Sequence, residues 1–453
     1  MTTALLTDHY ELTMVRAALA HGTASRHGVF ELFGRRLPEG RRYGVVAGVG
    51  RALRALEEFR FDDESVDWLV RTGVANDELA EWLSAYRFAG NIWGYPEGEI
   101  YFPGSPLLVV EGSFAEACIL ETLFLSIYNH DSAIASAASR MTSMAEQRPV
   151  IEMGSRRTHE WSAVAAARAA HIAGFASTSN LEAGRLWGVP TAGTAAHSFT
   201  LLHDSEDDAF RAQLAALGEQ TTLLVDTYDV ERAVRSGVEL TGGRLGAVRL
   251  DSGDLAIAAR EVRDLLDDLG AEKTRIIVTS DLDEWQIAAL RGAPVDGYGV
   301  GTSVVTGSGH PTCGFVYKLV ARADSSDPSA PLQPVAKKST NKGSVGGRKF
   351  ALRRLGADGH AEAEVVGIDA TPADDGNDRP LLVELVRGGE VVGHEDISVA
   401  RERHARARAE LPRSALRISK GEPAIPTIML DADGDAAPNP YDRTPPETHH
   451  QKD

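Results

Sequence analysis

The segment Gly246–Leu255, GAVRLDSGDL, sets one cation and two carboxylates around a small-residue turn, between a short apolar run and an amphipathic stretch. That order reads as strand, tight turn and helix. If Val248 and Leu250 face covering helices, the two-residue period of a strand puts Arg249 and Asp251 together on the opposite face. A guanidinium and a carboxylate at the C-terminal end of an inward face lie where α/β proteins hold their ligands. A plainer alternative is a structural ion pair, with Asp254 serving only as the N-cap of the following helix.

The elements that must position such a pair recur along the chain. Val150–Met153 leads to Gly154-Ser155-Arg156-Arg157 and a helical run Thr158–Ile172. Gly174–Ala176 leads to Ser177-Thr178-Ser179-Asn180, with Asn180 as an N-cap before Leu181–Leu186. Pro190–Gly193 leads to Thr194 and His197, and Thr222–Val225 leads to Asp226-Thr227-Tyr228-Asp229 and a helix through Val234. Arg275–Val278 precedes Thr279-Ser280-Asp281 and the helix Glu284–Leu290, and Gly297–Val300 precedes Gly301-Thr302-Ser303. About seven βα units at mostly regular spacing predict a closed or nearly closed α/β barrel. A doubly wound sheet fits less well, because no GxGxxG follows the first strand and all the turns carry similar chemistry.

The turns collect Arg156, Arg157 and Arg249 with Glu152, Asp226, Asp229, Asp251, Asp254 and Asp281. Gly301-Thr302-Ser303 suits a phosphate, whose oxygens can accept from bare N–H groups and a hydroxyl; the alternative is an ordinary Gly turn with a Thr cap. Arg156-Arg157 before a helix opposes the macrodipole, which favours an anion-binding role over a solvated face. Opposed cations and carboxylates suit a phosphorylated sugar whose pyrophosphate carries Mg²⁺ and whose hydroxyls meet Asp side chains. They also suit positive charge developing at the sugar C1. His197 reads as a base, a metal ligand, a phosphoryl acceptor or a structural histidine.

At 453 residues the chain exceeds one ordinary core, so two domains are expected. A net charge of −18 argues against a nucleic-acid-binding surface, so any phosphate must be held by a few local cations and backbone N–H groups. No run reaches membrane-spanning length, and MTTALLTDHYELTM lacks the pattern of a signal peptide. The cysteines, Cys118 and Cys313, read as buried free thiols of a reducing cytoplasm. The histidines show no HExxH spacing, and no direct protein ligand to a metal is assigned. Residues 1–145 begin with a helix Asp8–Ala20, strands at Gly28–Phe33 and Tyr43–Val46, and a long helical region Phe114–Met144. The barrel is expected over 146–310. Short alternating strands over 311–430 include a hairpin at Gly388-Gly389 and are expected to return to the N-terminal part as one discontinuous domain. Residues 431–453 have the composition of a disordered tail.

The motifs TDHYELTM (7–14), EMGSRRTHEW (152–161), FASTSN (175–180), GTAAHSF (193–199), VRLDSGDL (248–255) and YGVGTSVVTG (298–307) closely resemble the nicotinate phosphoribosyltransferase family, as does VAKKSTNKGSVGGRK (335–349). The resemblance runs in order from residue 7 to about 425. It implies a type II phosphoribosyltransferase fold: an incomplete α/β barrel plus an α/β sandwich formed by both chain ends. It also implies formation of nicotinate mononucleotide and pyrophosphate from nicotinate and 5-phosphoribosyl 1-pyrophosphate, in NAD biosynthesis or salvage. ATP is the implied co-substrate, coupled through a phosphohistidine, hence a ligase classification. Mg²⁺ is expected to accompany the phosphoribosyl donor and ATP, and no Walker A pattern offers ATP a separate site.

By this resemblance His197 matches the phosphohistidine, Thr194 and Tyr10 match nicotinate contacts, and Arg249 matches the partner of the nicotinate carboxylate. Tyr10 is expected to stack on the ring in a neighbouring subunit's site, which implies a homodimer with shared active sites. Thr302, with Gly301, matches the sugar-phosphate position. Arg156 and Arg157 correspond to substrate or phosphate cations, and Asp251 to a carboxylate on the ribose or Mg²⁺ side. Met153 departs from the family's frequent Phe, so a thioether replaces one face of the ring clamp. The rivals are a nicotinamide or quinolinate phosphoribosyltransferase and a catalytically silent nucleotide-binding barrel; the co-occurrence of His197, Arg249, Asp251 and Thr302 argues against the silent form.

Overall fold

In a computed structural model that describes residues 2–337 and 343–441, the chain divides into two compact units, 133–311 and a discontinuous unit of 1–132 with 312 onward. The division falls inside the helix Glu121–Ala145, earlier than the expected boundary at 145/146. Residues 442–453 of the expected tail, and 338–342 of the basic stretch, lie outside the described residues.

The unit 133–311 is built on one parallel sheet. Its strands lie in the order Ser177–Thr178, Val150–Glu152, Gly297–Val300, Arg275–Val278, Ala247–Leu250 and Thr222–Leu224. The first and last of these strands in the chain, Val150–Glu152 and Gly297–Val300, pair with each other, with Tyr298 opposite Val150, as they must when consecutive βα units curl round a ring. The ring is open on one side. Thr191 makes only an isolated parallel bridge to Thr178, and no ladder joins it to Thr222–Leu224 among the described residues. The expected strand Pro190–Gly193 is therefore a single bridge. The strand expected at Gly174–Ala176 instead forms at Ser177–Thr178. The barrel is incomplete.

Short apolar runs such as Leu223, Leu224 and Val225 are buried because both faces of a parallel sheet are covered. Helix Glu160–Ile172 buries every residue from Ala163 to Ile172; its alanines allow close approach to Ala183, Leu186 and Trp187 of the neighbouring helix Leu181–Trp187. Asn180, Asp229, Asp254 and Asp283 each accept from backbone N–H groups at the start of the helix that follows. The capping expected of Asp254 and Asn180 is thus present. Arg156 and Arg157 do not occupy a first helical turn: the helix starts at Glu160 with His159 as N-cap, and the arginines lie in the preceding turn.

The other unit mixes the chain ends within one seven-stranded sheet. Strands His27–Gly34, Asn91–Gly94 and Pro106–Ser113 interleave with Phe315–Arg322, Gln333–Pro334, Val383–Arg387 and Glu390–Val391. Gly388 and Gly389 both have positive φ, 54° and 84°, as a two-residue hairpin turn between Val383–Arg387 and Glu390–Val391 requires. A five-stranded sheet forms wholly from the later segment, including Lys349–Leu355 and Ala361–Ile368. Lys349 of that sheet pairs with Glu31 of the first at 2.9 Å, both almost fully buried. The long helical region expected at Phe114–Met144 is two helices, Phe114–Cys118 and Glu121–Ala145. Structure continues past residue 431: Ala436–Ala437 pairs with Thr427–Leu430, and Tyr441 is buried. Cys118 and Cys313 are buried free thiols. Among the described residues no helix is long and apolar enough to cross a membrane.

Candidate active site

Because the strands are parallel, their C-terminal ends converge on one rim. On strand Ala247–Leu250 the flanking Val248 and Leu250 are buried on the covered face, whereas Arg249 turns to the other side. Its side chain is 12% exposed. Nη1 donates to Thr194 Oγ1 at 2.8 Å, Nη2 lies 3.9 Å from Asp251 Oδ2, and Nε is buried without a hydrogen-bond partner. Burial lowers the pKa of this guanidinium, and Arg156 pushes the same way while Asp251 and Asp226 oppose it. A cation held mostly out of water, with only a loose carboxylate and a hydroxyl for company, is poised for an anion. The plain alternative holds for Asp254, whose carboxylate caps a helix, while the Arg249–Asp251 pair is present only at 3.9 Å.

Asp226, at the end of strand Thr222–Leu224, joins that strand to its neighbour. Its Oδ2 accepts from the Asp251 N–H at 2.8 Å and from Ser252 Oγ at 2.7 Å. Its Oδ1 lies 3.8 Å from His197 Nε2 and has no hydrogen-bond partner, although the side chain is only 4% exposed. His197 begins the short helix His197–Leu202 and is 41% exposed; its Nδ1 lies 3.1 Å from Thr227 Oγ1. Asp251 Oδ1 accepts from the Thr279 hydroxyl at the end of the next strand. His197, Thr194, Arg249, Asp251 and Asp226 thus form one connected group.

Strand Gly297–Val300 and the turn after Val150–Glu152 form the adjoining part of the rim. The Met153 N–H donates to Val300 O at 2.7 Å. A side chain at Gly299 would strike the Met153 thioether and the Thr279 methyl group, so Gly299 lets Met153 lie across the sheet toward Thr279. Glu152 is buried and accepts from the Gly154 N–H and the Thr178 hydroxyl; burial raises its pKa. These bonds fix the turn that carries Arg156 and Arg157, where the Arg157 N–H donates to Gly154 O at 2.8 Å; both residues are exposed, and their side chains make no hydrogen bond or ion pair among the described residues. Gly301 is the N-cap of Thr302–Val305 and makes no side-chain cap bond; Thr302 is exposed. The Gly301–Thr302 turn lies on the strand next to Val150–Glu152, two strands from Arg249.

Tyr10 belongs to the other unit, on helix His9–Ala20, half exposed, with its hydroxyl pKa raised by burial and by Glu121 and Glu11. Sequence reading placed Asp226, Thr227 and Thr279 among turn residues and gave Asp226 only a general acidic role. The recurrence of polar residues directly after a strand was the available signal; which of them meet His197 and Asp251 was not.

A family model described as the nicotinate phosphoribosyltransferase (NAPRTase) N-terminal domain matches residues 5–129. The chain is 55% identical to the nicotinate phosphoribosyltransferase pncB1 of Mycobacterium tuberculosis over 444 residues, covering 94% of this chain and 95% of that protein. The crystal structure of human nicotinic acid phosphoribosyltransferase superposes with a TM-score of 0.80 at 26% identity, covering 93% of this chain and 97% of that one. The nicotinate-nucleotide pyrophosphorylase structure from Pyrococcus furiosus shares the fold, with a TM-score of 0.73, 24% identity, and coverage of 89% and 94%. With most of its length matched at such identity and the rim assembled as described, the chain belongs to the nicotinate phosphoribosyltransferase family.

Proposed function

We propose that the rim joins nicotinate to 5-phosphoribosyl 1-pyrophosphate, with ATP hydrolysis coupled through His197. The observation that carries this reading is Arg249: a mostly buried guanidinium, disfavoured as a charge by its surroundings, with Nε unpartnered. The nicotinate carboxylate would supply the missing anion in fork geometry, and Thr194, already hydrogen-bonded to Nη1, would border the same pocket. The pyridine nitrogen attacks C1 of the sugar, the C1–O bond to pyrophosphate breaks, and the electron pair leaves on pyrophosphate. Asp251, held by Thr279, lies where a carboxylate can bind ribose hydroxyls and oppose positive charge growing at C1.

Gly301 and Thr302 would take the sugar phosphate, with Arg156 and Arg157 on the remaining phosphate charge. His197 would accept the γ-phosphoryl group of ATP, with Asp226 countering the charge of the ring. Mg²⁺ carried in by the two phosphate-bearing substrates fits this oxygen-rich rim, since Asp226 Oδ1 is buried with no hydrogen-bond partner. When bound, it would neutralise phosphate charge; no direct protein ligand is assigned. In a homodimer Tyr10 of the second subunit would stack on the pyridine ring, opposite the Met153 thioether. A cytoplasmic location fits the two free buried thiols.

Steady-state assays with nicotinate, nicotinamide and quinolinate test the assignment. Nicotinate is expected to give the highest kcat/KM, because an unpaired buried guanidinium rejects an uncharged amide. A preference for nicotinamide would overturn it.

A further inference from the structure

Among the described residues the His197 ring meets two polar side chains, Asp226 and Thr227, and the reaction as described uses only the first. Thr227 follows Asp226 and stands two residues before Asp229, the cap of helix Val230–Thr241. Its Oγ1 lies 3.1 Å from His197 Nδ1, on the opposite side of the ring from Asp226 Oδ1, which lies 3.8 Å from Nε2. We propose that Thr227 is a positioning residue for His197, its hydroxyl holding the imidazole in the orientation that receives and releases the ATP γ-phosphoryl group. This inference rests on the phosphohistidine reading.

The ring needs a tether. His197 is the first residue of a six-residue helix, its N-cap Ala196 provides no side-chain bond, and it is substantially exposed. The torsion that turns an imidazole is broad, so the backbone does not by itself set its plane. At 3.8 Å Asp226 Oδ1 makes no hydrogen bond to Nε2, and a carboxylate could accept one only while Nε2 carries a proton. A hydroxyl both donates and accepts, so Thr227 can keep its bond to Nδ1 in either tautomer and in the cation. Its own position is fixed from both sides: Asp226 is bonded to the Asp251 N–H and Ser252, and Asp229 to the Arg232 N–H. In the transfer itself a ring nitrogen bonds to phosphorus as the bond from phosphorus to the ADP oxygen breaks, and the electron pair leaves on ADP. Thr227 takes part in neither bond.

The test compares Thr227→Val, which keeps the shape and removes the hydroxyl, with Thr227→Ser, which keeps the hydroxyl. Two quantities are read: the rate of labelling of His197 by γ-labelled ATP, and the ratio of turnover with ATP to turnover without it. Loss of one hydrogen bond to a group that becomes charged should lower both in Thr227→Val by about tenfold, and Thr227→Ser should restore most of each. The proposal is overturned if Thr227→Val labels as fast as the parent protein. It is equally overturned if the valine and serine variants lose labelling alike, or if turnover with and without ATP falls in proportion. His197→Ala distinguishes the two levels. Labelling that survives in His197→Ala removes the phosphohistidine reading itself. Labelling lost in His197→Ala but intact in Thr227→Val removes only the tether.

Discussion

Replacing Arg249 by Ala should separate recognition of nicotinate from recognition of the sugar donor. The side chain is 12% exposed, its nearest carboxylate oxygen is 3.9 Å away, and its Nε has no partner. In the free protein the guanidinium therefore bears a desolvation cost that Asp251 offsets only loosely. Asp251 would not be stranded by the change, since it is partly exposed and keeps the Thr279 hydroxyl. Folding stability should change by about 1 kcal/mol or less, well below the usual loss when a buried pair is broken. With nicotinate bound the balance differs, because truncating one partner of a desolvated charge pair costs about 2–5 kcal/mol. Taking the lower half of that range, about 2–3.5 kcal/mol, for a rim site gives a rise in nicotinate KM of about 30- to 400-fold. The KM for 5-phosphoribosyl 1-pyrophosphate should move severalfold at most. Steady-state kinetics with each substrate varied in turn, beside a urea unfolding curve, provide both readouts. An effect on nicotinate below about tenfold, or equal losses for both substrates, would refute the assigned contact.

Further outcomes are expected. His197→Ala should make turnover insensitive to ATP, read as the ratio of rates with and without the nucleotide; a ratio still above one would exclude His197 as the phosphoryl acceptor. His404, buried on helix Ile397–Ala409, has its pKa pushed down to about 3 by burial and by Arg408. It stays neutral in the folded protein while the unfolded chain takes up a proton below about pH 6.5, so its effect on stability is absent above that pH and grows as pH falls toward 3. Between pH 7 and pH 5 this one group should remove about 2 kcal/mol, and His404→Leu should lose less stability over the same interval by that amount. Identical pH slopes in urea unfolding would show that the buried imidazole does not govern the acid side.

Much of the fold was legible because parallel strands and their helices write local signals. The apolar runs at Val150, Thr222, Ala247, Arg275 and Gly297 lie within one or two residues of the observed strands, and Asn180 and Asp254 cap as their types suggest. The misplacements have physical causes. Gly174–Ala176 is apolar enough for a strand, but pairing with Val150–Glu152 selects Ser177–Thr178, and register is a property of two segments. In the segment Pro190–Gly193 the Thr178 N–H donates to Pro190 O and the Ala192 N–H to Thr178 O, and with no N–H on Pro190 to extend the ladder that unit is one bridge. The helix expected from Thr158 starts at Glu160, because His159 accepts from the Trp161 N–H as its N-cap, so Arg156 and Arg157 lie further from its first turn than expected.

By itself the sequence determined the chemistry available at the strand ends, the alternation that turns Arg249 away from Val248 and Leu250, and, through its ordered motifs, the family. Those features depend on residue type and on periods of a few positions, which the chain carries locally. Tertiary structure alone decided that Val150–Glu152 meets Gly297–Val300, that the ring stays open between Thr191 and Thr222, and that both chain ends share one sheet. It also decided that Asp226 reaches the Asp251 N–H on one side and His197 on the other, with Thr227 beside the same ring. Such meetings join residues tens of positions apart, and no local period specifies them. They follow from strand order and register, which exist only once the sheet has formed.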